Sequence, residues 1–174
     1  MTIVNVGLSH RITPAEVLEK LAVPSAELGG VLARLHAVPS IDEVVVLSTC
    51  NRVEVYAATS GPAAPVTRAV AGLLAAQGRI PAGEVLRMAR IRVGGAAAEH
   101  LFAVACGLDS MAVGEDQIVA QIKAAARAAA QNHAILRGNG DLRHCLAFLM
   151  VGRFLAGARS VIGQGPAGDG TWLG

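Results

Sequence analysis

The period of the hydrophobic pattern changes several times along the chain, and each change marks an element. Ile3 to Leu8 is rich in β-branched residues and stops at Ser9-His10, which predicts a first strand. Pro14 and Pro24 mark helix starts. The second helix, with Ser25 and Glu27 behind its proline, runs through AELGGVLARLHA despite Gly29-Gly30 until Pro39 stops it. IDEVVVLST reads as a buried strand. RVEVYAA sets Arg52, Glu54 and Tyr56 against Val53, Val55 and Ala57, the period of a strand with one side buried. These two strands are expected to pair as a hairpin turning at Cys50-Asn51. PAAPVTRAVAGLLAAQ predicts a helix, and EVLRMARIRV predicts a fourth strand.

The order strand, helix, strand, strand, helix, strand is the split βαβ plan. It implies an α+β fold, ferredoxin-like, whose antiparallel sheet carries helices on one face. After Gly94-Gly95 the pattern turns helical: AAAEHLFAVACGL, then EDQIVAQIKAAARAAAQNH, then residues 141–158. The expected division is a domain over 1–158 and a glycine-rich tail over 159–174. Gly163, Gly165 and Gly168 in that tail spell GxGxxG. The dinucleotide fingerprint needs a strand before it, a helix after it and an acidic residue about 20 positions on. Pro166 also stands where helix amides should begin, so no cofactor loop is inferred there.

Composition narrows the class. A chain of 174 residues suits one domain, and 53% hydrophobic residues with 3% aromatics means a core of Ala, Val, Leu and Ile. A formal charge of +2 without a basic run gives no argument for DNA and leaves any RNA contact local. Cys50, Cys106 and Cys145 form an odd set without CxxC or metal-ligand spacing, which predicts reduced thiols, a cytoplasmic location and no metal. MTIVNVGLSH carries no basic stretch or long apolar segment, so no signal peptide is expected. LAFLMVGRFLAG is interrupted by Arg153 and falls short of the roughly 20 residues a bilayer requires.

Three places carry candidate chemistry. In LSTCNR, Cys50 sits at a strand end two positions before Arg52, whose cation would favour the thiolate and could clamp a carboxylate. The plain alternative is a small apolar residue beside a surface arginine. In GLDSMAVGEDQI, Ser110 precedes a break at Gly114, and Glu115 and Asp116 open the next helix. Gln117 and Gln121 share a helical face beside a stripe of Ile118, Ile122, Ala125 and Ala129. Two amides there would suit a ligand, or simply face water. His100 lies in an apolar helix, as a satisfied core residue or as a general acid–base.

Taken together in order, GLSH, LSTCNRVEVY, EHLFAVACGLDSMAVGEDQI and AQIKAA resemble the N-terminal catalytic domain of glutamyl-tRNA reductase, over about residues 3–158. The resemblance implies attack of a cysteine thiolate on glutamyl-tRNA, a thioester, and its reduction by NADPH to glutamate 1-semialdehyde, the first step of the five-carbon route to tetrapyrroles. Cys50 takes the nucleophile's position and His100 that of a histidine important for activity. Thr49, Asn51, Arg52, Ser110, Glu115, Asp116, Gln117 and Gln121 fall where the family binds the glutamyl moiety and the acceptor end. Implied partners are glutamyl-tRNA, glutamate-1-semialdehyde aminomutase and, for the family, a second copy of the chain.

The family's longer members continue through a spinal helix, an NADPH-binding Rossmann domain and a dimerisation domain. None of these is expected within these 174 residues. Leu18 stands where the family suggests arginine, and RHCLAFLM diverges from the upstream strings. The alternative function is a non-reducing remnant that only binds or hydrolyses glutamyl-tRNA.

Overall fold

The computed structural model describes residues 1–108, 116–135 and 145–146. These fold in the order β1 (Thr2–Ser9), α1 (Ala15–Leu21), α2 (Ser25–His36), β2 (Glu43–Ser48), β3 (Arg52–Thr59), α3 (Ala63–Gly78), α4 (Ala82–Met88), β4 (Arg90–Val93), α5 (Gly95–Ala105) and α6 (Asp116–Gln131). The strands make one four-stranded sheet in the order β2-β3-β1-β4, antiparallel at every pairing. That is the expected split βαβ arrangement.

Register assigns the faces. Paired residues of antiparallel strands project to the same side, so Val4, Val6 and Leu8 share one face with Val53, Val55, Val44 and Val46. This aliphatic face packs on α1, α2 and α3 through Leu21, Leu32, Leu35, Val66, Val70 and Leu74, all of them buried. Gly78 is needed here: a Cβ at that position would stand 2.7 Å from Leu21 Cδ2 and 3.3 Å from the Lys20 carbonyl. Prolines precede α1, α2, α3 and α4, where their missing N–H costs nothing.

Two expectations are corrected. EVLRMARIRV is not one strand: Pro81 and Glu84 start the short helix α4, and only Arg90–Val93 is extended. β3 is not half-buried, because all its residues from Arg52 to Thr59 are buried. Its place in the interior of the sheet explains this. α1–α3 cover one side, and the helical segment after β4 covers the polar side through α5. The segment just after α6 also covers the outer edge of β2, where the Val44 N–H donates to the Ala134 carbonyl at 2.7 Å. The predicted stripe of α6 is buried as expected, at Ile118, Ile122, Ala125 and Ala129. The predicted helix over 141–158, apart from residues 145–146, and the tail over 159–174 lie outside the described residues.

Candidate active site

The turn between β2 and β3 holds Cys50 in the open. The ladder ends at the pair Ser48–Val53, and the Thr49 N–H donates to the Arg52 carbonyl at 2.9 Å to close the reversal. Thr49 Oγ1 accepts the Asn51 N–H at 3.2 Å, a hydroxyl-to-backbone bond of the kind that fixes tight turns. The GLSH segment supports the turn from β1, since the His10 N–H donates to the Asn51 carbonyl at 3.0 Å. Ser48 Oγ accepts the Val23 N–H at 2.9 Å and ties the α1–α2 connection to the same end of the sheet. Cys50 is exposed, while Thr49 and Asn51 are half-buried. The sulfur is therefore accessible and its backbone is held from three sides.

Arg52 differs from its sequence-based expectation. Its side chain is 2% exposed and lies on the inner, polar face of the sheet, where Nη1 pairs with Glu54 Oε1 at 2.9 Å. The guanidinium thus forms part of a buried cluster and is no surface cation. Glu54 is the centre of that cluster. Oε1 also meets His100 Nε2 of α5 at 3.1 Å, and Oε2 accepts the Tyr56 hydroxyl. The Tyr56 and His100 rings stack, with centroids 6.4 Å apart and planes inclined by 22°. Gly7 of β1 leaves the room: a Cβ there would lie 3.2 Å from Asn5 Oδ1 and 3.5 Å from Glu54 Cγ. Farther along the same face, Arg92 of β4 donates to Asn5 Oδ1 at 3.1 Å.

Burial alone would raise the Glu54 carboxyl. The hydrogen bond of His100 and, when the ring is protonated, its charge, together with the Arg52 guanidinium and the Tyr56 hydroxyl, outweigh it and hold the group below its ordinary value of 4.5. Burial, and then the charge and hydrogen bond of Glu54, push the Tyr56 hydroxyl well above 10.0. A depressed carboxylate contributes stability that is complete above its unfolded value and is lost as pH falls through the folded one. Urea unfolding is therefore expected to show wild-type stability dropping as the pH is taken below about 4.5. Glu54→Gln should flatten that decline, and an identical acid profile in the variant would contradict the assignment.

Among the remaining expected site residues, Gln117 is exposed and Gln121 half-buried on α6, and Asp116 begins that helix. Ser110 and Glu115 lie outside the described residues. The structure brings His100 and Arg52 together on one carboxylate. Glu54 and Tyr56 had no assigned role in the sequence, where their alternation suggested the outer side of a strand. The available signal was three successive polar positions, every second residue, on a strand destined for the sheet interior. No group of three or more metal-ligating side chains occurs among the described residues, and no described helix is long and apolar enough to cross a membrane.

The family model for the glutamyl-tRNAGlu reductase N-terminal domain matches residues 6–142. The chain belongs to this family. The glutamyl-tRNA reductase of Gloeothece citriformis is 42% identical over 159 residues, covering 91% of this chain and 35% of that protein. The glutamyl-tRNA reductase of Cyanothece sp. (strain PCC 7425) is 44% identical over 123 residues, covering 71% of this chain and 28% of that protein. The chain thus spans about a third of the length of these curated relatives. Among solved structures, the glutamyl-tRNA reductase of Methanopyrus kandleri superposes with a TM-score of 0.63 at 31% identity, over 88% of this chain and 34% of that one. Cys50, Arg52, Glu54 and His100 all fall within the glutamyl-tRNA reductase match.

Proposed function

We propose that this chain performs the acyl-transfer half of glutamyl-tRNA reduction, the first step of tetrapyrrole formation. Cys50 Sγ, as thiolate, attacks the carbonyl carbon of the glutamyl ester. The bond from that carbon to the ribose oxygen breaks, a thioester forms on Cys50, and the tRNA leaves with a proton on its ribose hydroxyl. A thiolate is a strong nucleophile, and dividing one difficult acyl reduction into two steps lowers each barrier. His100 is assigned as the general acid–base that manages the proton. Thr49 and Asn51 hold the turn, and Arg52, engaged by Glu54 in the buried cluster, contributes its fixed positive charge to the site from beneath. Ser110, Glu115, Asp116, Gln117 and Gln121 are assigned to the glutamyl moiety and acceptor end.

The observation that carries this is the exposed Cys50 thiol on a turn pinned by Thr49, Asn51 and His10, in a chain of this family. A free nucleophilic thiol also suits a reducing compartment, so we assign the chain to the cytoplasm.

NADPH is the family's hydride donor, and it supplies the reduction to glutamate 1-semialdehyde. The described residues do not fit it. Every strand pairing is antiparallel, and no parallel βαβ unit with a glycine-rich turn occurs among them. Acyl transfer is the half of the reaction that these residues account for.

The test is direct. The 174-residue chain is incubated with glutamyl-tRNA, quenched in acid, digested and analysed by mass spectrometry. A glutamyl adduct is expected on the peptide containing Cys50. Absence of any adduct, with Cys50→Ser indistinguishable from wild type, would end the proposal.

A further inference from the structure

One carboxylate oxygen joins two side chains that the proposed function uses. Glu54 Oε1 meets Arg52 Nη1 at 2.9 Å and His100 Nε2 at 3.1 Å, while Oε2 takes the Tyr56 hydroxyl. Glu54 is itself 1% exposed, on an interior strand beneath α5, so it acts through its neighbours and not on a substrate. We propose that Glu54 is a positioning residue that locks His100 in the Nε2–H tautomer, leaving Nδ1 as its basic nitrogen, and anchors Arg52 from the same oxygen. The link to catalysis rests on the acyl-transfer function proposed above; the tautomer does not.

Donor and acceptor capacity fixes the direction of the bond. An ionised carboxylate can only accept, and the Arg52 guanidinium at 2.9 Å and the Tyr56 hydroxyl, both donors, favour the ionised form of Glu54. Nε2 must therefore donate, and in a neutral imidazole the lone pair then belongs to Nδ1. Stacking on Tyr56 fixes the plane of the ring, so orientation and tautomer are set together. A buried carboxylate that holds a histidine in one tautomer is the arrangement that makes such a ring an effective base in acyl transfer.

The charged and titratable groups on this face are few. Arg52 and Tyr56 lie on the same strand, Arg92 comes from β4 through Asn5, and Arg90 of β4, in register with Gly7, projects to the same side but is exposed. Glu43 of β2 is buried and paired in register with Ala58, on the same side of the sheet. α5 contributes His100, and the buried side of α6 is apolar, at Ile118, Ile122 and Ala125. Gly7 and Leu47, the register partners of Glu54 on β1 and β2, bring no charge. Among these groups, Glu54 is the one whose oxygen meets the His100 ring nitrogen.

The experiment uses the full chain labelled with 15N-histidine and long-range proton–nitrogen correlation spectra at neutral pH. His100 is assigned by its loss in His100→Asn. Wild type and Tyr56→Phe are expected to show the Nε2–H pattern, and Glu54→Gln a mixture of tautomers, because an amide can either accept or donate. Acyl transfer to Cys50 is expected to fall at least tenfold in Glu54→Gln, on the order of what losing an orienting partner costs. Tyr56→Phe removes the hydroxyl bonded to Glu54 but keeps the ring that stacks on His100, so it separates the loss of a bond to Glu54 from a change of tautomer. An Nδ1–H pattern in wild type would overturn the inference, and this needs no variant to fold. An unchanged tautomer together with an unchanged rate in Glu54→Gln would overturn it equally. If wild type never acylates Cys50, the proposed function fails while the spectrum still decides the role of Glu54.

Discussion

Arg52→Met is expected to be among the most destabilising single substitutions in the chain, costing about 3–5 kcal/mol in chemical denaturation. Arg52 heads the largest fully buried side chains, and its partner Glu54 is as deeply buried. Methionine fills much of the space but leaves the Glu54 carboxylate without the cation that offsets its desolvation. The loss is mostly the penalty of an orphaned charge and not the worth of the pair, which a double variant separates. Arg52→Met combined with Glu54→Gln should cost less than the two single changes added, by roughly 0.5–3 kcal/mol, since neither charge is then left alone. Strict additivity would mean that the two side chains do not interact as their 2.9 Å contact implies.

Cys50→Ala is expected to have the opposite profile, a complete loss of chemistry with almost none of stability. The residue is exposed on a turn whose hydrogen bonds are made by the backbone and by Thr49 Oγ1, so unfolding should shift by no more than about 0.5 kcal/mol. A thioester formed without a hydride donor is open to water. Wild type should therefore deacylate glutamyl-tRNA faster than the spontaneous rate, and Cys50→Ala should return it to that rate. Cys106 is the informative control. It is also exposed, but it follows the C-terminal end of α5 and is not part of the β2–β3 turn. Cys106→Ala should deacylate like wild type, and an equal loss in both variants would show that exposure alone, not the built turn, governs reactivity.

Much of the architecture is legible in the sequence because its signals are local. Pro14, Pro24 and Pro62 precede helices, Thr49 to Arg52 reverse the chain, and the spacing of Ile118, Ile122, Ala125 and Ala129 defines a buried stripe. The fourth strand reads too long because Val85, Leu86 and Met88 suit either a strand or a short helix. Pro81 and Glu84 decide for the helix. Cys50 is recognisable from its motif, and its exposure follows from the turn that the motif builds.

The polar face of β3 is not legible. Alternation of Arg52, Glu54 and Tyr56 with valines and alanine announces two different faces, but it does not say whether a second layer will cover the polar one. That layer is α5, and the contact that settles the matter joins His100 to Glu54 across 46 positions of sequence. Sequence alone determined the elements, the hairpin and the family motif, since each depends on neighbours a few residues apart. Only the tertiary structure made Glu54 the centre of the site, because burying a charge is stable only where distant partners converge on it.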